Sequence, residues 1–209
     1  MGREEITTGA YEPVAESALS VTSQTVLSAR SGSPGDDAAM DRLIVLCAQL
    51  LPLVPPVVAV VLWLRLPRPA KVDLGLRTLL AVSLTAVLVL IAGFLHQDPR
   101  PFVVDPAHPA LFPHAVDDGF PSDHTAYAAT VALLIVGLRR RIGWTLLAFA
   151  LVGGLARVAA NVHHLQDIVG GLVVAALAVA ATAAVFSTVQ GRRQGRTIED
   201  ADAGSNARS

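Results

Sequence analysis

Residues 119–138 read GFPSDHTAYAATVALLIVGL. A proline-bounded polar turn runs straight into an apolar stretch, and the reading of that junction decides the fold. From Thr125 onward the segment carries no charged side chain, so as a helix it has no face to offer water and suits a lipid bilayer. Pro121–Leu138 has companions: Leu43–Leu64, Leu74–Leu95, Ile142–Ala160 and Ile168–Val189 are apolar runs of the roughly 17–25 residues that a spanning helix needs. The expected fold is therefore all-α, an integral membrane bundle of about five transmembrane helices, or six if the N-terminal segment adds one.

Composition points the same way. The chain is 53% hydrophobic and 16% charged, with a net charge of −1. So little charge leaves almost no polar face for a soluble domain, and a balance near zero gives no electrostatic case for nucleic acid. The lone Cys47 excludes an intrachain disulfide. Residues 1–40 are polar and acidic and read as a mostly disordered segment, with a short interfacial helix over Val14–Ala29 as the alternative. No secretory signal is read there, so Leu43–Leu64 is expected to be the first insertion signal. The membrane domain is expected over residues 41–190, and residues 191–209 as a disordered tail.

Basic residues set the orientation. Arg65, Arg68, Lys71 and Arg77 surround the first connection, Arg139–Arg141 form another, and Arg192, Arg193 and Arg196 follow the last span. With five spans all three clusters share one side, expected to be cytoplasmic. The acidic N-terminal residues and the connections 96–123 and 161–167 then face outward. All six histidines lie between His96 and His164, on or beside those outer connections.

Three polar islands need explaining there. The connection 96–123 contains six prolines and five aspartates, with Arg100 as its only arginine. Its Pro-Arg-Pro setting stiffens the backbone and suits a fixed anion contact. In ARVAANVHHLQDIVGG, residues 156–171, His163 and Asp167 are four apart and share a helix face. A carboxylate bonded to one imidazole nitrogen fixes the tautomer and leaves the other nitrogen as base or nucleophile. Taken singly, that pair could be a polar helix end, and Arg157 could snorkel to headgroups. Together, ionisable groups at membrane depth are costly and mark a function. At the opening stretch, Ser122 suits an N-cap, so a helix should begin near Asp123 with free amides that favour phosphate. Capping explains Ser122 but not His124. Gly153-Gly154 and Gly170-Gly171 read as close-packing points between helices.

These residues resemble the type 2 phosphatidic acid phosphatase (PAP2) superfamily, whose motifs are Lys-x6-Arg-Pro, Pro-Ser-Gly-His and Ser-Arg-x5-His-x3-Asp. GFLHQDPRP matches the first at Arg100 and Pro101, PSDH the second at Pro121, Ser122 and His124, and ARVAANVHHLQD the third at Arg157, His163 and Asp167. Gly93 stands at the lysine position, with His96 nearby as a partial substitute. Ala156 replaces the motif serine, and Asp123 replaces glycine. The PSDH form looks like the bacterial branch that hydrolyses undecaprenyl diphosphate.

The resemblance implies metal-independent phosphoryl transfer through a phosphohistidine, with no cofactor. It makes His163 the nucleophile, Asp167 its orienting carboxylate and His124 the general acid and then base. Arg100, Arg157 and Ser122 become phosphate contacts, and Asp123 and His96 further substrate contacts. The expected substrate is undecaprenyl diphosphate, with phosphatidic acid or phosphatidylglycerol phosphate as the alternative. The expected place is the bacterial inner membrane, multi-pass, with the active site on the outer face, among membrane lipids. A small transporter or a haem-binding membrane protein is the reading from a different class.

Overall fold

The structure is a computed structural model that describes residues 34–206, with side chains described for 35–191. The segment Val14–Ala29 lies outside the described residues. The chain divides into two units, Met1–Met40 and Asp41–Ser209. The packing below belongs to the second.

Helix α1 (Pro34–Leu50) leads through a 3-10 turn at Leu51–Leu53 into α2 (Val54–Leu64). The sequence suggested one uninterrupted span here. Pro52, Pro55 and Pro56 each lack the N–H that an α-helix uses, and the chain tightens into a 3-10 turn at that point. Long helix α3 (Arg68–Leu95) follows, then the short α4 (Pro101–Val104) inside the proline-rich connection. Helices α5 (Asp123–Leu138), α6 (Arg140–Ala159) and α7 (Leu165–Asn206) complete the order. Among the described residues, four stretches are long and apolar enough to cross a membrane: Gly35–Leu64, Arg68–Leu95, Arg140–Ala159 and Leu165–Gly191. Helix α7 continues past Gln190 to Asn206 instead of giving way to a disordered tail. No proline interrupts residues 190–206, so the hydrogen-bonded ladder propagates into the polar sequence.

The fifth apolar helix, α5, has only 16 residues. It is the centre of the packing, in contact with α2, α3, α6 and α7. Its small side chains explain that position: Ala126, Ala129 and Ala132 are fully buried, and they let neighbouring backbones approach. Thr85 of α3 and Thr130 of α5 meet at 2.8 Å between their hydroxyls, a buried polar tie between two apolar helices. Apolar side chains such as Leu79, Leu90, Phe94 and Val57 point outward, as lipid-facing positions do.

The paired glycines mark close approaches. A Cβ on Gly153 would stand 2.9 Å from Pro52, and one on Gly154 the same distance from Ile168 and Thr125. On α7, a Cβ at Gly170 would meet Phe120 at 2.5 Å, and one at Gly171 would meet the Ser122 carbonyl at 2.8 Å. The last contact brings the start of α7 against the start of α5. It sets two polar islands side by side.

Candidate active site

The connection between α6 and α7 is short and fully specified by backbone bonding. Asn161 takes φ of 62°, a left-handed conformation that asparagine tolerates better than most residues. Its N–H donates to the Val158 carbonyl at 3.0 Å, and the Val162 N–H donates to the Arg157 carbonyl at 3.1 Å. That pair of bonds is a Schellman motif, which ends α6 and reverses the chain. The reversal delivers the Val162 carbonyl and the His163 side chain to the same place.

His163 is 1% exposed and Asp167 fully buried. His163 Nδ1 lies 3.0 Å from Asp167 Oδ2, the contact expected from their spacing. The same oxygen accepts the His164 backbone N–H at 2.8 Å. An ionised carboxylate can only accept, so Nδ1 carries the proton and Nε2 keeps its lone pair. Burial pushes His163 below its ordinary value; the bond to Asp167 opposes this, while Arg100 and Arg157 add to it. Its ring is therefore neutral near pH 7, the form a nucleophile requires.

Arg100 is buried and completes the arrangement from the other connection. Its Nε donates to Asp117 Oδ1 at 2.7 Å, and its Nη1 donates to the Val162 carbonyl at 2.9 Å. Nη1 also stands 3.3 Å from His163 Nε2. The guanidinium thus sits directly beside the nitrogen that would attack. Gly119 leaves the space for this: a Cβ there would lie 2.9 Å from Asp167 Oδ2 and 3.5 Å from both Arg100 and His163.

Arg157 is 3% exposed. Its Nη1 donates to the Ala48 carbonyl at 3.2 Å, and its Nη2 lies 3.0 Å from His114 Nε2. Its Nε is buried with no protein partner, a donor still in need of an acceptor. His114 was not among the residues singled out from sequence. It bridges Arg157 and His163, its ring lying edge-on to that of His163 with centroids 6.2 Å apart. Asp117 was also missed. Neither has a local spacing that ties it to its partners.

The two outer connections are stitched together along their length. Gly119 N–H donates to the Asp98 carbonyl at 2.8 Å, closing the proline-rich loop, and Leu111 N–H donates to the Ala160 carbonyl at 3.1 Å. Asn161 Nδ2 donates to the His108 carbonyl, and Gln166 Nε2 to Asp98 Oδ2 at 2.5 Å. His164 Nε2 reaches the Pro99 carbonyl at 3.2 Å, so this histidine braces the loop.

Helix α5 begins as the sequence suggests, with Ser122 as its N-cap. Ser122 Oγ accepts from Thr125 N–H at 3.5 Å and lies 3.1 Å from the Thr125 hydroxyl. Its side chain is fully buried, and it serves as the cap of the helix. Asp123 grips His124: its Oδ1 lies 2.6 Å from His124 Nδ1 and accepts His124 N–H at 2.7 Å. The His124 ring itself is exposed. His96, proposed as a partial substitute for the motif lysine, stacks edge-on against Phe120 at 4.8 Å. Among the described residues no hydrogen bond joins it to either arginine. A lysine could not stand at Gly93 unaided either, since a Cβ there would meet the Phe120 carbonyl at 3.1 Å.

Among the described residues no group of three or more His, Cys, Asp and Glu side chains is arranged to hold a metal ion. What the site gathers is a carboxylate-held imidazole, two buried guanidiniums and a second carboxylate-held imidazole at the start of an adjoining helix.

Several known proteins are similar to this chain. Undecaprenyl-diphosphatase BcrC of Bacillus subtilis (strain 168) is 38% identical over 100 residues, 46% of this chain and 51% of that protein. The bacitracin transport permease protein BcrC of Bacillus licheniformis is 32% identical over 98 residues, 47% of this chain and 48% of that one. The matches thus span about half the length of these two relatives. Putative undecaprenyl-diphosphatase YbjG of Escherichia coli (strain K12) is 34% identical over 143 residues, 68% of this chain and 71% of its own. The crystal structure of Aquifex aeolicus LpxE superposes with a TM-score of 0.58 at 24% identity, covering 73% of this chain and 87% of that one, a likeness of fold. Residues 74–190, more than half of the 209, match the PAP2 superfamily and hold all three polar islands: the chain belongs to the PAP2 superfamily.

Proposed function

We propose that the protein is a membrane phosphatase that removes the terminal phosphate of a lipid diphosphate, undecaprenyl diphosphate above all, through a phosphohistidine. The observation that carries this is the buried His163–Asp167 pair at 3.0 Å, with His163 Nε2 beside Arg100. In the first step Nε2 forms a bond to the terminal phosphorus while the bridging P–O bond breaks. His124 Nε2 protonates the departing lipid phosphate. In the second, His124 takes a proton from water as its oxygen attacks phosphorus, the N–P bond breaks, and inorganic phosphate leaves. Arg100 and Arg157 stabilise the equatorial oxygens, whose charge persists throughout transfer.

Asp123 gives His124 its direction. With its carboxylate on Nδ1, the proton available for exchange is the one on Nε2. The substrate reading draws on the names carried by the BcrC and YbjG relatives and on the PSDH form of the second motif. The expected membrane is the bacterial inner membrane, with the site on the face opposite the arginine-bearing turns.

A substrate panel tests this reading. Purified protein should release phosphate from undecaprenyl diphosphate faster than from phosphatidic acid or phosphatidylglycerol phosphate, and should keep its activity in EDTA. Preference for either of the latter two would reassign the substrate. Loss in EDTA with recovery in Mg²⁺ would overturn the metal-free mechanism.

A further inference from the structure

His114 is placed where it cannot satisfy its own hydrogen bonding. The backbone N–H of Ala115 points at its Nδ1 from 3.0 Å, and Arg157 Nη2 stands 3.0 Å from its Nε2. A guanidinium only donates, and a neutral imidazole has one lone-pair nitrogen. One of these contacts therefore sets N–H against N–H. The neighbouring amide is held there by the chain itself, and when Nδ1 takes that amide with its lone pair the ring proton stands on Nε2. That proton faces Arg157.

Other donors converge on the same spot. Arg157 Nε is buried without a protein partner. Arg100 Nη1 lies against the attacking nitrogen of His163, whose ring stands edge-on to His114. Neighbouring donors become favourable when an acceptor with several lone pairs lies beside both of them, and a tetrahedral oxyanion is such an acceptor. Burial, Arg100, Arg157 and His163 push His114 down to about 4 while Asp117 pulls the other way. The ring is thus neutral before an anion arrives, and a phosphate dianion offsets both guanidinium charges.

We propose that His114 is a substrate-binding residue whose Nε2–H, together with Arg157, takes a non-bridging oxygen of the phosphoryl group that His163 attacks. The inference rests on the phosphatase reading for the identity of that group. The chemistry it recognises is a phosphate dianion, whether on a lipid or free.

The test uses full-length protein in detergent at pH 7.5, with inorganic phosphate as the probe, titrated by calorimetry, and undecaprenyl diphosphate for turnover. Losing one charge-assisted hydrogen bond predicts that His114→Ala weakens phosphate binding by about 10–100-fold and raises KM by a similar factor, with a smaller change in kcat. His114→Gln, whose amide can donate from a similar place, should recover binding to within about fivefold of wild type. Phosphate affinity in His114→Ala within about twofold of wild type would overturn the proposal. So would equal losses in both variants accompanied by a lowered unfolding temperature, which is the mark of a structural role. Wild-type protein that binds phosphate but hydrolyses no lipid phosphate would defeat the proposed function, and the phosphate titrations would still decide His114.

Discussion

His163 has two neighbours in space that do opposite things to its ring: Asp167 holds the Nδ1 proton, and Arg100 crowds the Nε2 lone pair. On the proposed mechanism, His163→Ala removes the nitrogen that would bond to phosphorus and should abolish measurable phosphate release. His164→Ala loses only the brace to Pro99, since its backbone N–H still reaches Asp167, and should retain activity within about tenfold. Equal loss in both would remove His163 from the nucleophile's role. Asp123→Asn replaces an acceptor-only carboxylate with an amide that can donate, so the His124 tautomer is no longer fixed. Turnover should drop by about 10–100-fold, with KM changing less. The pH dependence has a definite sign. His163 lies below its ordinary 6.5, so protonation should not silence the nucleophile until the pH falls beneath that value. His114 is neutral when folded down to about 4 but takes a proton near 6.5 when unfolded. Between those values the unfolded chain binds the extra proton, so stability should decline as pH falls from 6.5 towards 4. Thermal unfolding at pH 7.5 and pH 5 checks this, and His114→Gln should show a smaller decline.

At the scale of elements, the close approach of α7 to the head of α5 is open to test by mutation. Gly171→Ala puts a methyl group 2.8 Å from the Ser122 carbonyl, and backbone cannot yield as a flexible side chain can. A loss of about 1–3 kcal/mol, read as a lower unfolding temperature, is expected. Gly137→Ala, on α5 with nothing within 4 Å, serves as the control and should be neutral or slightly stabilising. The same elements separate what was legible in the sequence from what was not. Apolar length located the spans, and Ser122 before an apolar run announced the start of α5, because both signals are local. The His163–Asp167 contact followed from a separation of four. The break at Leu51–Leu53 was written in Pro52, Pro55 and Pro56 but was masked by the surrounding hydrophobicity. Arg100 and His163 are 63 positions apart, and only the motif order suggested their meeting. His114 stayed hidden because its approach to Arg157, 43 positions on, depends on how the proline-rich loop folds back. His96 sat close to the site in sequence, yet Phe120 captured its ring.

For the whole molecule, the short central helix has a consequence for the membrane around it. Helix α5 runs from the site to the Arg139 turn, and its 16 residues fix that separation at ~24 Å, from ~1.5 Å per residue. Arg157, 17 residues along α6 from Arg140, reaches the same height. The hydrocarbon layer of an ordinary bilayer is about 30 Å thick. With the arginine turn anchored at one boundary, the reacting phosphorus must be met about one helical turn beneath the other. On the proposed function, a diphosphate headgroup would have to be drawn down, or the bilayer thinned, before His163 could touch it. Both become harder as the acyl chains of the host lipid lengthen. In vesicles of fixed headgroup composition, turnover should therefore fall steadily with chain length, while hydrolysis of a water-soluble phosphate ester in detergent sets the reference rate. An unchanged rate across chain lengths would place the site at the boundary and not beneath it. With a falling rate, the residue count of a single helix would make this phosphatase a reader of membrane thickness.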